Sequence, residues 1–161
     1  MNLPTICDSS KKLRISYLTL INYMAGIDGQ LDKKEISLLS NMIQKFSLSE
    51  QDSKKIFIEQ KFSKNQIDEI FSHLKKDNLH YSFILDLIAM ASADGAILQP
   101  EKLMLAQISG LIGLTNDEFY NLINFSQATS NIELDGCIDP MYQYVITLFF
   151  DWVKNKKVIW K

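Results

Sequence analysis

Two carboxylates flank an Asp-Gly turn in the segment MASADGAILQPE, residues 90–101: Asp94 lies in the turn and Glu101 follows seven positions later. The segment MAGIDGQLDKKE, residues 24–35, repeats this arrangement with Asp28 and Glu35. Carboxylate oxygens are the ligands that hard divalent cations prefer in proteins. These four side chains are therefore the candidate metal ligands of the sequence.

Each segment matches the second half of an EF-hand calcium loop, with Asp fifth, Gly sixth, an aliphatic residue eighth and Glu twelfth. The first half is missing, because Met24 and Gly26, or Met90 and Ser92, stand where oxygen ligands are required. One turn supplies two carboxylates, fewer than the roughly six to eight oxygens that calcium takes. A site requires both turns together, or one turn completed by waters as magnesium prefers. Ca, Mg, Mn and Zn are all candidate ions.

A purely structural role is the alternative for the same residues. The glycines permit a positive φ after a helix, and an Asp side chain can accept hydrogen bonds from turn amides. A Glu at the third helical position bonds back to the cap, and Asp32 with Glu35 has the form of such a capping box. Leu98 occupies the equivalent cap position before Glu101 and has no side-chain oxygen. Capping therefore explains the second segment less completely, and both interpretations stay open.

A third Asp-Gly turn lies in NIELDGCIDPMY, residues 131–142. It follows the calcium-loop pattern better than the other two, until Tyr142 stands where a bidentate Glu is required. The alternative is a polar connection with Cys137 and Ile138 turned inward. Together with the cap residue Asp32, the oxygen-bearing side chains of this turn are secondary candidate ligands: Asn131, Glu133, Asp135 and Asp139.

The charge distribution argues against nucleic acid as the main partner. The chain has a net charge of −2, but residues 81–153 carry nine acids and a single base, Lys102. Neutralising phosphates requires a basic face, which this half of the chain lacks. An acidic half instead suits cations or a basic protein partner.

The sequence offers little for nucleophilic or acid–base catalysis. His73 and His80 have no Ser or Cys pattern that indicates an activated partner, and no Gly-rich phosphate loop is present. A hydrolase based on paired carboxylates lacks the accompanying pocket chemistry. We therefore expect a protein that is not an enzyme.

Helices must position these side chains. A chain of 161 residues, 47% apolar, suits one domain. Apolar stripes at spacings of three and four predict seven or eight helices. The segment at residues 78–93 is apolar on nearly all sides and should be the most buried helix. The predicted helix starts are Ser9 and Ser10, then Asp32, Ser49, Ser63, Pro100 and Thr115. The residues predicted on the apolar stripes are Leu13, Tyr17, Leu20, Ile21, Met24, Ile36, Leu39, Ile43, Phe46, Ile67, Ile70, Phe71 and Leu74.

An internal repeat joins these helices into two units. Residues that lie 66 positions apart match: Met24 with Met90, Ala25 with Ala91, Asp28 with Asp94, Gly29 with Gly95, Glu35 with Glu101, and Leu39 with Leu105. The fold class predicted is all-α, a compact bundle of two pseudo-symmetric helix-turn-helix repeats plus a C-terminal apolar helix. We expect the two units to be related by a pseudo-twofold axis.

These motifs resemble a known family. ADGAILQPEKLMLAQISGLIGLT, preceded by IAMAS, is similar to the signature of the tellurite-resistance TerB family and of the N-terminal region of the DjlA co-chaperones. GIDGQLDKKEISLLSNMIQKFSLS resembles a second copy, with Gly26-Ile27 where the alanine stands. The resemblance covers roughly residues 10–126. It implies an all-helical, non-enzymatic domain in bacterial stress or membrane-linked systems, with a metal ion at Asp28, Glu35, Asp94 and Glu101.

The C-terminal region extends beyond this resemblance. We expect a single domain over residues 1–161, with a duplicated core at 9–126 and a C-terminal helix with a basic-aromatic tail at 127–161. Residues 141–153 should pack onto the repeats, whereas 154–161 could serve a homo-oligomer or touch an anionic membrane surface. Isolated cysteines and the absence of a secretory signal pattern favour a cytoplasmic protein.

The sequence as a whole thus predicts a non-enzymatic TerB-like binding or adaptor module of a stress response, with a divalent cation at its acidic turns. The alternative is a metal-free interaction domain whose acidic half docks a basic protein partner.

Overall fold

The computed structural model describes residues 6–26, 29–58, 61–95 and 97–129, and these residues form an all-helical bundle. A 3-10 helix, Ile6–Asp8, precedes seven α-helices. In chain order they are α1 (Lys11–Ala25), α2 (Lys33–Lys45), α3 (Glu50–Phe57), α4 (Lys64–Lys76), α5 (His80–Ala91), α6 (Gln99–Ile112) and α7 (Asn116–Thr129). The predicted all-α class is confirmed. The predicted C-terminal apolar helix and basic tail lie outside the described residues.

Polar side chains begin most helices where the sequence placed them. Ser10 Oγ accepts from the Leu13 amide at 3.2 Å, and Ser49 Oγ accepts from the Asp52 amide at 3.1 Å. In α4 the capping box is complete, since Ser63 accepts from the Gln66 amide and Gln66 Oε1 accepts from the Ser63 amide. These bonds satisfy amide groups that a helix start otherwise leaves without partners.

The core is centred on α1 and α5, which contact each other. In the first unit α1 contacts α2 and α3, and in the second α5 contacts α6 and α7. The Tyr17 ring of α1 meets the Phe83 ring of α5 edge to face, with centroids 5.2 Å apart, and both side chains are fully buried. Among the helices of residues 6–129 that the structure describes, α5 has the most buried residues, in agreement with the prediction for this segment. None of the described helices combines the length and apolar character needed to cross a bilayer.

The prediction that Ile36 faces inward is wrong, because its side chain is 43% exposed. Ile36 lies in the first turn of α2. The hydrogen bonds between Asp32 and Glu35 that cap this turn are exposed to solvent, so the turn lies at the surface. Burial on α2 begins one turn later, with Leu39, Met42 and Ile43.

The helix bounds follow the sequence repeat. Lys33 begins α2 and Gln99 begins α6, and these two residues are equivalent in the repeat. Glu50 and Asn116, which begin α3 and α7, are equivalent at the same offset. The helices before the two turns, α1 and α5, likewise end at equivalent alanines, Ala25 and Ala91. The two units therefore share one helix pattern, and the pseudo-twofold axis between them stays a prediction.

Candidate functional site

The two glutamates of the repeat serve the starts of their helices. Glu35 Oε2 accepts a hydrogen bond from the Asp32 amide at 2.7 Å, and Glu101 Oε2 accepts one from the Leu98 amide at 2.6 Å. Each bond satisfies an amide at the helix start and places negative charge at the positive end of the helix dipole. The structural interpretation is therefore correct for one oxygen of each glutamate.

The secondary candidate Asp32 also acts as a cap. Its Oδ1 atom accepts from the Lys34 amide at 2.7 Å and from the Glu35 amide at 2.8 Å, which completes the capping box of α2. At the same place in α6, the Leu98 side chain cannot accept, so only the Glu101 half of the box forms.

Asp94 differs from these capping residues. The turn that follows α5 contains main-chain bonds from the Ala93 amide to the Met90 carbonyl and from the Gly95 amide to the Ser92 carbonyl at 3.0 Å. Ser92 Oγ also donates to the Ile88 carbonyl at 2.9 Å. Within the part of the chain that the structure describes, the exposed Asp94 carboxylate accepts no hydrogen bond and forms no ion pair. The prediction that turn amides occupy it is therefore wrong for Asp94, because main-chain carbonyls already accept from these amides.

The turn that follows α1 makes a matching main-chain bond, although residues 27 and 28 lie outside the described part of the chain. The Gly29 amide donates to the Gly26 carbonyl at 3.1 Å, matching the bond made by Gly95. Both glycines have positive φ, +157° for Gly29 and +138° for Gly95, a region that L side chains rarely adopt. Asp28 lies outside the described residues.

The described carboxylates do not by themselves form a metal cluster. Across residues 6–26, 29–58, 61–95 and 97–129, no group of three or more His, Cys, Asp or Glu side chains could hold a metal ion. Glu35, Asp94 and Glu101 are thus not gathered into such a group. Four further candidates lie outside the described residues: Asn131, Glu133, Asp135 and Asp139. A site that pools both turns remains a prediction.

Asp52 and Glu118 each connect two helices, although the sequence indicated them only as partners of the caps Ser49 and Thr115. Asp52, at the third position of α3, accepts from Ser49 Oγ at 2.8 Å and from Lys55 Nζ at 2.9 Å, and it pairs with Lys11 Nζ of α1 at 3.1 Å. The hydrogen bond from Lys55, followed by those from Ser49 and Lys11, holds the pKa of Asp52 well below its usual range.

Glu118 has the equivalent position in the second unit, at the offset of the repeat. Its Oε2 accepts from the Thr115 amide at 2.8 Å, and its Oε1 accepts from the Tyr81 hydroxyl of α5 at 2.8 Å. Burial of the Tyr81 ring and this hydrogen bond raise the pKa of the phenol. In both units, the third helix is thus tied to the first by a carboxylate at the same place.

Asp86 lies in the core and not on the acidic surface that the sequence indicated. Its side chain is buried, and Oδ2 accepts from the Tyr17 hydroxyl at 2.5 Å. Of the five acids in residues 81–129, only Asp94 and Asp117 are exposed. The described part of the acidic half therefore presents few surface charges.

The fold and turns define an all-helical module with a duplicated Asp-Gly helical hairpin. A family model described as "Tellurite resistance protein TerB" matches residues 14–123, which span α1 to α7. This is more than half of the chain, so the protein belongs to the TerB family. Neither a curated protein nor a solved structure matches the chain.

Proposed function

We propose that this TerB-family protein is a non-enzymatic binding module of a bacterial stress response that takes up a divalent cation at its Asp-Gly turns. The observation that carries the proposal is the state of Asp94. The other acids of the second unit, Asp117 excepted, hold a cap or another helix, whereas the Asp94 carboxylate has no structural partner among the described residues. The Asp94 carboxylate is exposed beside a glycine turn, so a hydrated ion can approach it from solvent.

The ligand supply of one turn fits a hydrated ion. Magnesium keeps several waters and commonly binds through one or two carboxylates, whereas calcium requires roughly six to eight oxygens. Asp94 supplies one carboxylate, and Glu101 has a second oxygen besides the one bonded to the Leu98 amide. The first unit offers Glu35 in the same place, with Asp28 as its partner in the sequence.

Thermal unfolding with and without Ca²⁺, Mg²⁺, Mn²⁺ or Zn²⁺ tests the proposal. An ion that binds only the folded state raises the melting temperature with concentration. Asp94→Asn should abolish the shift attributable to the second turn, whereas Asp117→Asn, which removes the same charge from an exposed Asp on α7, should preserve it. If no ion shifts the wild type, or if both variants respond equally, the cation proposal is wrong.

Glu101→Gln separates ligation from capping. In α4, Gln66 Oε1 already makes the bond to the cap amide that Glu101 makes in α6, so glutamine preserves this contact. The variant should therefore melt near the wild type without metal and respond less to metal. If Glu101→Gln responded to metal like the wild type, Glu101 would not be a ligand of the ion.

The name of the family model connects the proposal to tellurite. Deleting the gene in its host should lower the tellurite concentration that stops growth. Wild type and Asp117→Asn should restore it, whereas Asp94→Asn should not. If the wild type and both variants restored tellurite resistance equally, the role in the stress response would not depend on Asp94 or its turn.

The metal-free alternative, an acidic half that docks a basic protein, receives less support from the described residues. Asp86 is buried and Glu118 bonds to Tyr81, so neither offers a free surface charge. This alternative would be favoured if no ion bound while the stress phenotype still depended on Asp94 and Asp117 together.

A further inference from the structure

We draw no further inference here: the strongest candidate, the exposed apolar pair Phe57 and Ile58 at the C-terminal end of α3, follows two lysines that already pair with carboxylates of the same helix, and nothing in the described residues shows what covers it.

Discussion

At the scale of single residues, the repeated carboxylates divide into two kinds. Glu35 and Glu101 share a position that favours a bond to the cap amide, and both make that bond. The sequence predicted this role for Glu35 because Asp32 completes the capping box. It could not predict the state of Asp94, since main-chain bonds within the turn decide whether an Asp side chain is needed there.

The cap role of Glu101 predicts unequal effects of two substitutions. Glu101→Ala removes the bond to the Leu98 amide and should lower the free energy of unfolding by about 1 kcal/mol. Glu101→Gln preserves an acceptor and should cost less than half of that. Urea unfolding of both variants without metal measures the difference. Equal losses would show that charge at the helix start, and not the hydrogen bond, is what matters.

Asp52 predicts a pH dependence of stability. Its pKa in the folded protein lies below the unfolded value of about 3.9, so its ionised form stabilises the fold above that pH. This stabilisation is lost as the pH falls below about 4 and Asp52 takes up a proton. The wild type should therefore exceed Asp52→Asn in stability at pH 7, and the gap should shrink in acid. A gap that stays constant from pH 7 down to about pH 3 and below would contradict this role.

At the scale of elements, local sequence signals predicted the helix starts well. Ser10, Asp32, Ser49 and Ser63 all act as the expected caps, because capping depends on residues within one turn. Contacts between distant segments were not predictable in this way. Arg14 Nη1 of α1, for example, donates to the carbonyl of Phe46 at the end of α2, at 2.6 Å.

The end of α6 depends on the conformation of Gly113. This residue has φ +95°, and a Cβ there would lie 2.5 Å from Lys75 Nζ, so Gly113→Ala should destabilise the protein by about 1–2 kcal/mol. Gly110 lies within the helix with nothing within 4 Å of an added Cβ, so Gly110→Ala should stabilise by about 0.5–1 kcal/mol. Thermal melts at low micromolar concentration compare the two. A stabilising Gly113→Ala would contradict the assigned conformation.

At the scale of the whole molecule, the bundle rests on the contact between α1 and α5. The internal repeat predicted two similar units, because each preserves its own turns and caps. The repeat could not predict the buried hydrogen bond between Tyr17 and Asp86 that connects the two units. At the equivalent positions of the other unit, Phe83 replaces Tyr17 and Leu20 replaces Asp86, and neither can make this bond.

Removing the Tyr17 hydroxyl should weaken the bundle at this contact. Tyr17→Phe deletes a hydrogen bond to a buried carboxylate and should cost about 1–3 kcal/mol. Tyr120→Phe, which alters a tyrosine that is 63% exposed, should be nearly neutral. Equilibrium unfolding of both variants at pH 7 is the measurement. A neutral Tyr17→Phe would show that the pair contributes nothing to the packing of the two units.

The central claim, cation binding at the Asp-Gly turns, is tested most directly by an NMR titration of the isotope-labelled full chain with Mn²⁺, which broadens amide signals near the bound ion. Binding at the turns predicts that the amides of residues 93–98 and 29–35 broaden first, and that Asp94→Asn removes the effect at the second turn. Broadening that begins around Asp117 or elsewhere, or that is unchanged in Asp94→Asn, would contradict the claim.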